Sequence, residues 1–446
     1  MQISETSALP EENSKPISCF QYLVILLCAM CMLVDGFDVQ AMSYVAPALM
    51  KAWSIDRSLL GPVLSAALFG MLVGSLLLAG IADIVGRRPA LIASLAWVAI
   101  AMSLTPFSHA IGQLALVRFV AGLGMGVVIP NALALGGEYS PPRLRVTVVM
   151  AVSSGYVIGG VVGGATAAFV VVAFGWGGVF YTGAVLTGCL AFLTLFSLPE
   201  SLQFGLLCRP DDCEAAALIE RFGLDEEPAQ SGWPEQKGSS LKVVVGRDRI
   251  ASTLLLWLAG SCNMGCAYFL AAWIPLLMSS NGYSSGMSLL AGAALWGGGL
   301  IGNYLLSHLI DRIAYGPMLF ANFVMGGFAI VGLGCFTQSA QIAIPWIMLA
   351  GFSVIGGQSG LYSIAVLLYP TQGRATGTGL ASGVGRIGAV LGPVIGGYLM
   401  TLSWAADKIF LASAVPMLIT AVSIGVLALN SAREVHPGTF NPRPPD

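Results

Sequence analysis

From Phe20 onward the sequence is a succession of apolar runs, each near or above the ~20 residues that a helix needs to cross ~30 Å of hydrocarbon. The runs cover 20–50, 59–82, 89–107, 112–137, 146–172, 177–198, 251–278, 287–309, 317–336, 342–368, 376–400 and 409–430. A bilayer core offers no water to exposed backbone groups, so each run is expected as a helix that satisfies its own hydrogen bonds. Composition points the same way. Hydrophobic residues make up 56% of the chain and charged ones only 9%, where soluble domains carry about 25% charged residues. The expected fold class is therefore an all-α membrane protein with twelve transmembrane helices.

The basic residues orient it. If both termini are cytoplasmic, fifteen of the 20 Lys and Arg lie in cytoplasmic segments and only Lys51, Arg57 and Lys408 lie outside, with Arg118 and Arg386 inside spans. Such a bias is the usual mark of the cytoplasmic side. The expected domains are a disordered cytoplasmic tail (1–19), an N-terminal six-helix bundle (20–198), a cytoplasmic linker (199–250), a C-terminal six-helix bundle (251–430) and a second cytoplasmic tail (431–446). The linker is the one long polar segment. Within it, Asp211-Asp212 is placed to cap a short helix running to Arg221, with Ala215, Leu218, Ile219 and Phe222 apolar. Three glutamates, Glu5, Glu11 and Glu12, and no cleavage site distinguish the first tail from a secretory signal.

The chain repeats itself. Gly74-Ser-Leu-Leu-Leu-Ala-Gly-Ile-Ala-Asp-Ile-Val-Gly-Arg-Arg-Pro89 reads as a very short charged loop between two spans. Gly74, Asp83 and Pro89 recur 228 residues later as Gly302, Asp311 and Pro317. Tyr139 and Arg145 correspond to Tyr369 and Arg374, and Gly159 and Gly163 match Gly388 and Gly392, 229 residues on. Small residues at such spacing let helix backbones approach closely. Their placement in equivalent spans of two halves marks where the halves are expected to slide or rock.

Several function classes fall away. A net charge of −2 with no basic tract argues against nucleic acid as a partner. No G-x-x-x-x-G-K-[ST] occurs, and none of the five lysines follows a phosphate-binding loop, so ATP is not the expected energy source. Gly122-Leu-Gly-Met-Gly126 lies inside a span with no strand before it, unlike a dinucleotide fingerprint. Three histidines and nine dispersed cysteines offer neither a metal site nor a disulfide framework, and Cys28-Ala-Met-Cys31 sits in an apolar helix without a second pair. No metal or cofactor is expected. No nucleophile–base pair is visible, so the chain does not read as an enzyme. Secondary transport is the better reading.

The informative residues are the charges within the spans, because each costs about 2.5–3.5 kcal/mol on the insertion scale when unpaired. Asp35-Gly36-Phe37-Asp38 places two carboxylates on one helix face near mid-membrane. Two carboxylates so close repel, and a low-dielectric cavity disfavours their charge further, which is the setting a proton carrier needs. Arg118 in the fourth span is the expected partner. Glu138 and Arg145 flank Tyr139-Ser-Pro-Pro-Arg143, and with Asp83, Arg87 and Arg88 they are expected to form a cytoplasmic charge cluster that closes in one state and opens in the other. Arg386 lies 12 residues beyond Arg374, or ~18 Å into the membrane at ~1.5 Å per residue. Thr378 and Ser382 share its face. A guanidinium grips a planar carboxylate through two parallel hydrogen bonds, so Arg386 is the expected receiver of a substrate carboxylate, with Asp35 or Asp38 as the competing internal partner. Tyr268, Trp273, Trp296 and Tyr362 are the candidate ring-stacking residues of the second half.

The pattern G-x8-D-x-x-G-R-R at Gly74–Arg88 resembles the signature loop of the major facilitator superfamily. Asp35-Gly-Phe-Asp38 resembles the D-G-x-D pattern of its aromatic acid:proton symporter family. So do Arg118-Phe-Val-Ala-Gly-Leu-Gly with Pro130-Asn131, Gly137-Glu-Tyr-Ser-Pro141, Leu198-Pro-Glu-Ser-Leu202, and Arg374-Ala-Thr-Gly377 with Gly385-Arg386-Ile-Gly388. The likeness spans Phe20 to Leu429. It implies two six-helix bundles with pseudo-twofold symmetry, a midplane site, and uptake of a small aromatic carboxylate with protons across a bacterial inner membrane, the expected unit being a monomer. It also implies proton coupling and substrate transport at Asp35 and Asp38, and gating at Asp83, Arg87 and Arg88. The second-half copy, Asp311-Arg312-Ile-Ala-Tyr-Gly316, lacks the Gly-Arg-Arg turn. Rival readings are another organic anion on the same fold, such as muconate, nicotinate or hydroxyphenylpropionate, or a membrane sensor or channel without alternating access.

Overall fold

The computed structural model describes residues 17–56, 59–141, 144–202, 204–205, 244, 246, 249–310, 315–336, 339–369, 374–402 and 404–434. The expectations for most of the two tails, the helix from Asp211 to Arg221, Arg143, and Asp311-Arg312 fall outside these residues. Among the described residues eleven helices are long and apolar enough to cross a membrane. One of them, Arg145–Ser197, is interrupted at Gly175 (φ 72°, ψ −175°). Its 53 residues amount to about 80 Å of helix at ~1.5 Å per residue, enough for two crossings. The left-handed φ that glycine adopts without a Cβ clash turns the chain back between them. The expected twelve passes are therefore present.

The first six are α1 (Cys19–Trp53), α2 (Leu60–Leu77), α3 (Arg87–Leu104), α4 (Ile111–Glu138), and α5 and α6, the portions of Arg145–Ser197 before and after Gly175. The second six are α7 (Ile250–Ser280), α8 (Ser285–Ile310), α9 (Tyr315–Cys335), α10 (Ala340–Leu368), α11 (Arg374–Thr401) and α12 (Ala406–Glu434). Ser18 starts α1 with a reciprocal cap, its hydroxyl accepting from the Gln21 N–H while the Gln21 side chain accepts from the Ser18 N–H. That arrangement satisfies two otherwise orphaned donors at the helix start.

The glycine repeat has a definite structural meaning. Gly159 of α5 rests on the Leu33 carbonyl of α1, and Gly388 of α11 rests on the Ser261 carbonyl of α7. Gly74 of α2 touches the Leu123 carbonyl of α4, and Gly302 of α8 touches that of Phe352 on α10. Both partners in each contact recur at nearly the same sequence offset, so the two halves repeat their packing as well as their sequence. These contacts lie inside each half, not between halves. The expectation that Gly159, Gly163, Gly388 and Gly392 line the sliding surface is thereby corrected: they tie α5 to α1 and α11 to α7.

The surface between halves lies one residue further round α5. Gly160 faces the Trp296 ring of α8, and Gly164 faces Ala293. Elsewhere Gly61 of α2 meets Pro393 and Gly397 of α11, the Ser65 hydroxyl donates to the Val390 carbonyl (2.9 Å), and Gln40 Nε2 donates to the Ala271 carbonyl (3.3 Å). These contacts run from mid-membrane to the ends of the helices remote from the termini. The two halves touch along that side.

Backbone carbonyls cannot swing aside for a new side chain, and forcing extra methyl groups into such packing costs about 1–3 kcal/mol or more. Gly388→Val is accordingly expected to lower the thermal unfolding midpoint of the purified protein. Gly379→Ala, on the same helix with open space around it, is expected to leave the midpoint unchanged.

Candidate functional site

The structure separates the two carboxylates of α1. Asp38 is held by a cation: Arg118 Nη1 donates to its Oδ1 at 2.7 Å, and Nη2 donates to its backbone carbonyl at 2.9 Å, while Asp38 Oδ2 and Arg118 Nε have no hydrogen-bond partner among the described residues. Both side chains are 0% exposed. The guanidinium also lies over the Phe180 ring of α6, 5.4 Å from its centroid, a face attractive to cations. This clamp joins α1, α4 and α6 within the first half. Removing one partner of such a pair strands the other charge, at a cost of about 3–5 kcal/mol.

Asp35, one turn away, is only 2% exposed, and neither carboxylate oxygen has a hydrogen-bond partner among the described residues. The charges that reach it are those of Asp38 and of Arg386 in the other half. Arg386 is half-buried on α11 and makes no ion pair or hydrogen bond with the described residues. A carboxylate and a guanidinium, both without a fixed partner, therefore face each other's fields from opposite halves. Ser382 is half-buried one turn before Arg386, as is Thr378 a turn earlier, so the expected polar stripe is retained.

Aromatic side chains close the space between them. The Tyr156 and Tyr268 hydroxyls are 2.8 Å apart and link α5 to α7 across the halves. The Trp296 ring stands edge-on to Tyr156, with centroids 5.8 Å apart, and its buried indole N–H has no acceptor among the described residues. Tyr268 lies within the fields of Arg386, Asp35 and Tyr362, and Tyr362 is 39% exposed. Trp273 is placed otherwise. It is fully buried, its indole donates to the Pro393 carbonyl at 3.1 Å, and it packs on Gly396. It cements α7 to α11 and offers no face to a ligand, which corrects the expectation that it contacts substrate.

Tyr156 was not legible as a site residue, although the glycine ladder holds the signal. With Gly155, Gly159 and Gly163 on one face of α5, residues one step on (Tyr156, Gly160, Gly164) must face elsewhere, and they face the second half.

A second constellation sits at the end of the bundle nearest the termini. Arg87 pairs with Glu138, whose other oxygen accepts from the Ser201 hydroxyl (2.8 Å) and the Leu202 N–H (3.0 Å). Glu200 accepts from the backbone N–H groups of Arg88 (3.1 Å) and Ser201 (2.8 Å), and Arg88 Nη2 donates to the Leu195 carbonyl at 2.7 Å. The Tyr139 hydroxyl donates to the Glu200 carbonyl (2.7 Å), and Arg145 Nε donates to the Gly137 carbonyl (3.2 Å). Gly86, at φ 105°, lets the loop turn where a Cβ would strike the Glu200 carboxylate. Glu138, Arg87, Arg88 and Arg145 thus come together as expected. The Asp83 side chain is outside the description. Glu200 is an addition that sequence reasoning missed, although it stands in the quoted Leu198-Pro-Glu-Ser-Leu202 motif.

Residues 28–365 match the family model of the Major Facilitator Superfamily. The chain belongs to the Major Facilitator Superfamily. It is 32% identical to the 4-hydroxybenzoate transporter PcaK of Pseudomonas aeruginosa, over 92% of this chain and 93% of the relative. It is 30% identical to the gallate transporter of Pseudomonas putida (94% of each) and 30% identical to the benzoate transport protein of Acinetobacter baylyi (97% and 94%). Among solved structures, it superposes on a bacterial homologue of the human lysosomal transporter Spinster with a TM-score of 0.71 at 16% identity, covering 94% of this chain and 100% of that one. The xylose transporter XylE of E. coli gives 0.70 at 15% identity, covering 95% and 100%. The superfamily fold agrees with the architecture described above, and the chain is a multi-pass membrane transporter rather than an enzyme.

The two α1 carboxylates are expected to respond oppositely to neutralisation. Asp38→Asn strands the buried Arg118 guanidinium, so the thermal midpoint in detergent should fall by the equivalent of about 3–5 kcal/mol. Asp35→Asn removes a charge that has no partner and should leave the midpoint unchanged or raised.

Proposed function

We propose that the protein imports a small aromatic carboxylate together with protons, by alternating access across a bacterial inner membrane, with both termini cytoplasmic and a monomer as the working unit. The observation that carries this reading is that the Asp35 carboxylate and the Arg386 guanidinium, on opposite halves, lie within electrostatic reach of each other and have no hydrogen-bond partner among the described residues. A membrane protein retains uncompensated charges only where they serve a ligand or an ion. The relatives named as hydroxybenzoate, gallate and benzoate transporters supply the substrate class.

The chemistry follows from the placement. Arg386 binds the planar carboxylate through two parallel N–H donors, and Tyr156, Tyr268, Trp296 and Tyr362 offer edges and faces to the ring. Asp35 carries the proton, since its carboxyl is not committed to a cation. Asp38 is held by Arg118 and keeps α1, α4 and α6 together while the proton moves nearby. A monoanion entering with one proton is electrically neutral, and each further net charge would gain about 2.3 kcal/mol per 100 mV.

Alternation requires that the contacts of α2 with α11 and of α5 with α8 open as the opposite side closes. The cluster around Glu138 and Glu200 holds the start of α3, which carries Arg87 and Arg88, against the ends of α4 and α6. In this reading it keeps the first half rigid at its terminal end, so that the half moves as a body.

Accumulation of labelled 4-hydroxybenzoate by cells expressing the protein should collapse with a protonophore. Arg386→Lys should fold and insert but raise the half-saturation concentration steeply, because an ammonium cannot reproduce the guanidinium fork. Arg386→Ala should abolish specific binding. Unchanged affinity in purified Arg386→Ala would overturn the assignment of the carboxylate site.

A further inference from the structure

A chain of amide hydrogen bonds in the second half ends in two N–H donors without an acceptor among the described residues. It begins at the Val354 carbonyl of α10, which accepts from Asn263 Nδ2 of α7 at 3.0 Å. The other Nδ2 hydrogen of Asn263 goes to Gln358 Oε1 at 2.7 Å. Because a backbone carbonyl can only accept, it fixes which end of the Asn263 amide is nitrogen, and that in turn makes the Gln358 acceptor its oxygen. The Nε2 of Gln358 is then turned away from Asn263. It makes no hydrogen bond among the described residues, on a side chain that is half-buried while Asn263 is fully buried.

We propose that Gln358 is a specificity-determining residue that donates a hydrogen bond to a ring oxygen of the substrate, on the side of the ring opposite its carboxylate, and that Asn263 is the positioning residue that orients it. The proposal rests on the reading of Arg386 as the carboxylate receiver.

Depth and direction support it. Gln358 lies ten residues inside the Leu368 end of α10, and Arg386 lies twelve inside the Arg374 end of α11, which puts both about 15–18 Å from the same side at ~1.5 Å per residue. α7 packs against both α10 and α11, so the two side chains flank one helix at one level. Tyr362, one turn from Gln358 and on its face, lies within electrostatic reach of Tyr268, as do Arg386 and Asp35. A ligand whose carboxylate rests on Arg386 therefore directs its far end toward Gln358. What the amide offers is donors, so the matching group is an acceptor: a phenolic hydroxyl fits, and a bare ring edge does not. A polar site of this kind discriminates against an analogue lacking the oxygen, since a ring bound over the donors would displace their water and offer nothing in return.

The test is direct binding of three acids to the purified full-length protein: 4-hydroxybenzoate, benzoate, and 4-methylbenzoate, which has the shape of the first without its oxygen. Wild type should bind 4-hydroxybenzoate about tenfold or more tightly than the other two, the size of one well-made hydrogen bond. In Gln358→Met, which keeps length but has no N–H, that preference should vanish through loss on 4-hydroxybenzoate alone, with benzoate affinity unchanged. Asn263→Ala should lower the preference in the same acid-selective way. Equal weakening of all three acids in Gln358→Met would mean that the side chain serves the carboxylate or the fold, and would overturn the proposal. Equal binding of 4-hydroxybenzoate and 4-methylbenzoate by wild type would overturn it without any variant, while leaving the aromatic-acid reading intact. Binding of none of the acids by wild type would overturn both.

Discussion

A fixed charge inside hydrocarbon must be neutralised by a partner or kept in place by a task, and that constraint orders the centre of this molecule. Arg118 and Asp38 answer it structurally, with two hydrogen bonds, complete burial and an aromatic face. Asp35 and Arg386 do not answer it at all within the described chain. Under the proposed function, the contrast between two carboxylates a single turn apart on one helix divides scaffold from working site. Desolvating a pair costs several kcal/mol per ion before any gain, so the Arg118–Asp38 clamp is better understood as fixing the arrangement of α1, α4 and α6 than as a large net source of stability.

Rigid halves are the second requirement. Glycines at equivalent positions bring α5 onto α1 and α11 onto α7 at backbone contact, where interhelical packing in the membrane is strongest. α5 uses adjacent positions for the surface between halves, where Gly160 and Gly164 meet Trp296 and Ala293 and where the Tyr156 hydroxyl reaches that of Tyr268. Packing inside the first half and contact with the second are thus assigned to neighbouring faces of one helix. The charge cluster around Glu138 and Glu200 ties the Gly86 turn and the start of α3 to the ends of α4 and α6 in the first half.

Much of this was legible in the residues. Apolar run lengths gave all twelve passes, including the break at Gly175. The buried charges named Asp35, Asp38, Arg118 and Arg386, because a charge in an apolar run is conspicuous against its neighbours. Aromatic residues carry no such contrast. Trp273 and Tyr268 lie five residues apart on α7 and are alike in sequence, yet one is fully buried against Pro393 and the other reaches Tyr156. Only helix rotation distinguishes them, and hydrophobic periodicity is weak in helices that are apolar all round. Glu200 was missed for a different reason. Its partners are backbone N–H groups at Arg88 and Ser201, and no sequence pattern advertises a bond to the main chain.

If Asp35 carries the proton in the proposed function, its state is tied to substrate at Arg386, and linkage makes that tie measurable without transport. In weakly buffered solution, addition of 4-hydroxybenzoate to the purified protein should change the bulk proton concentration as Asp35 adjusts to the anion beside it. The same addition to Asp35→Asn should bind substrate with no such change. A proton signal of equal size in Asp35→Asn would show that the coupling resides elsewhere and would contradict the account at its centre.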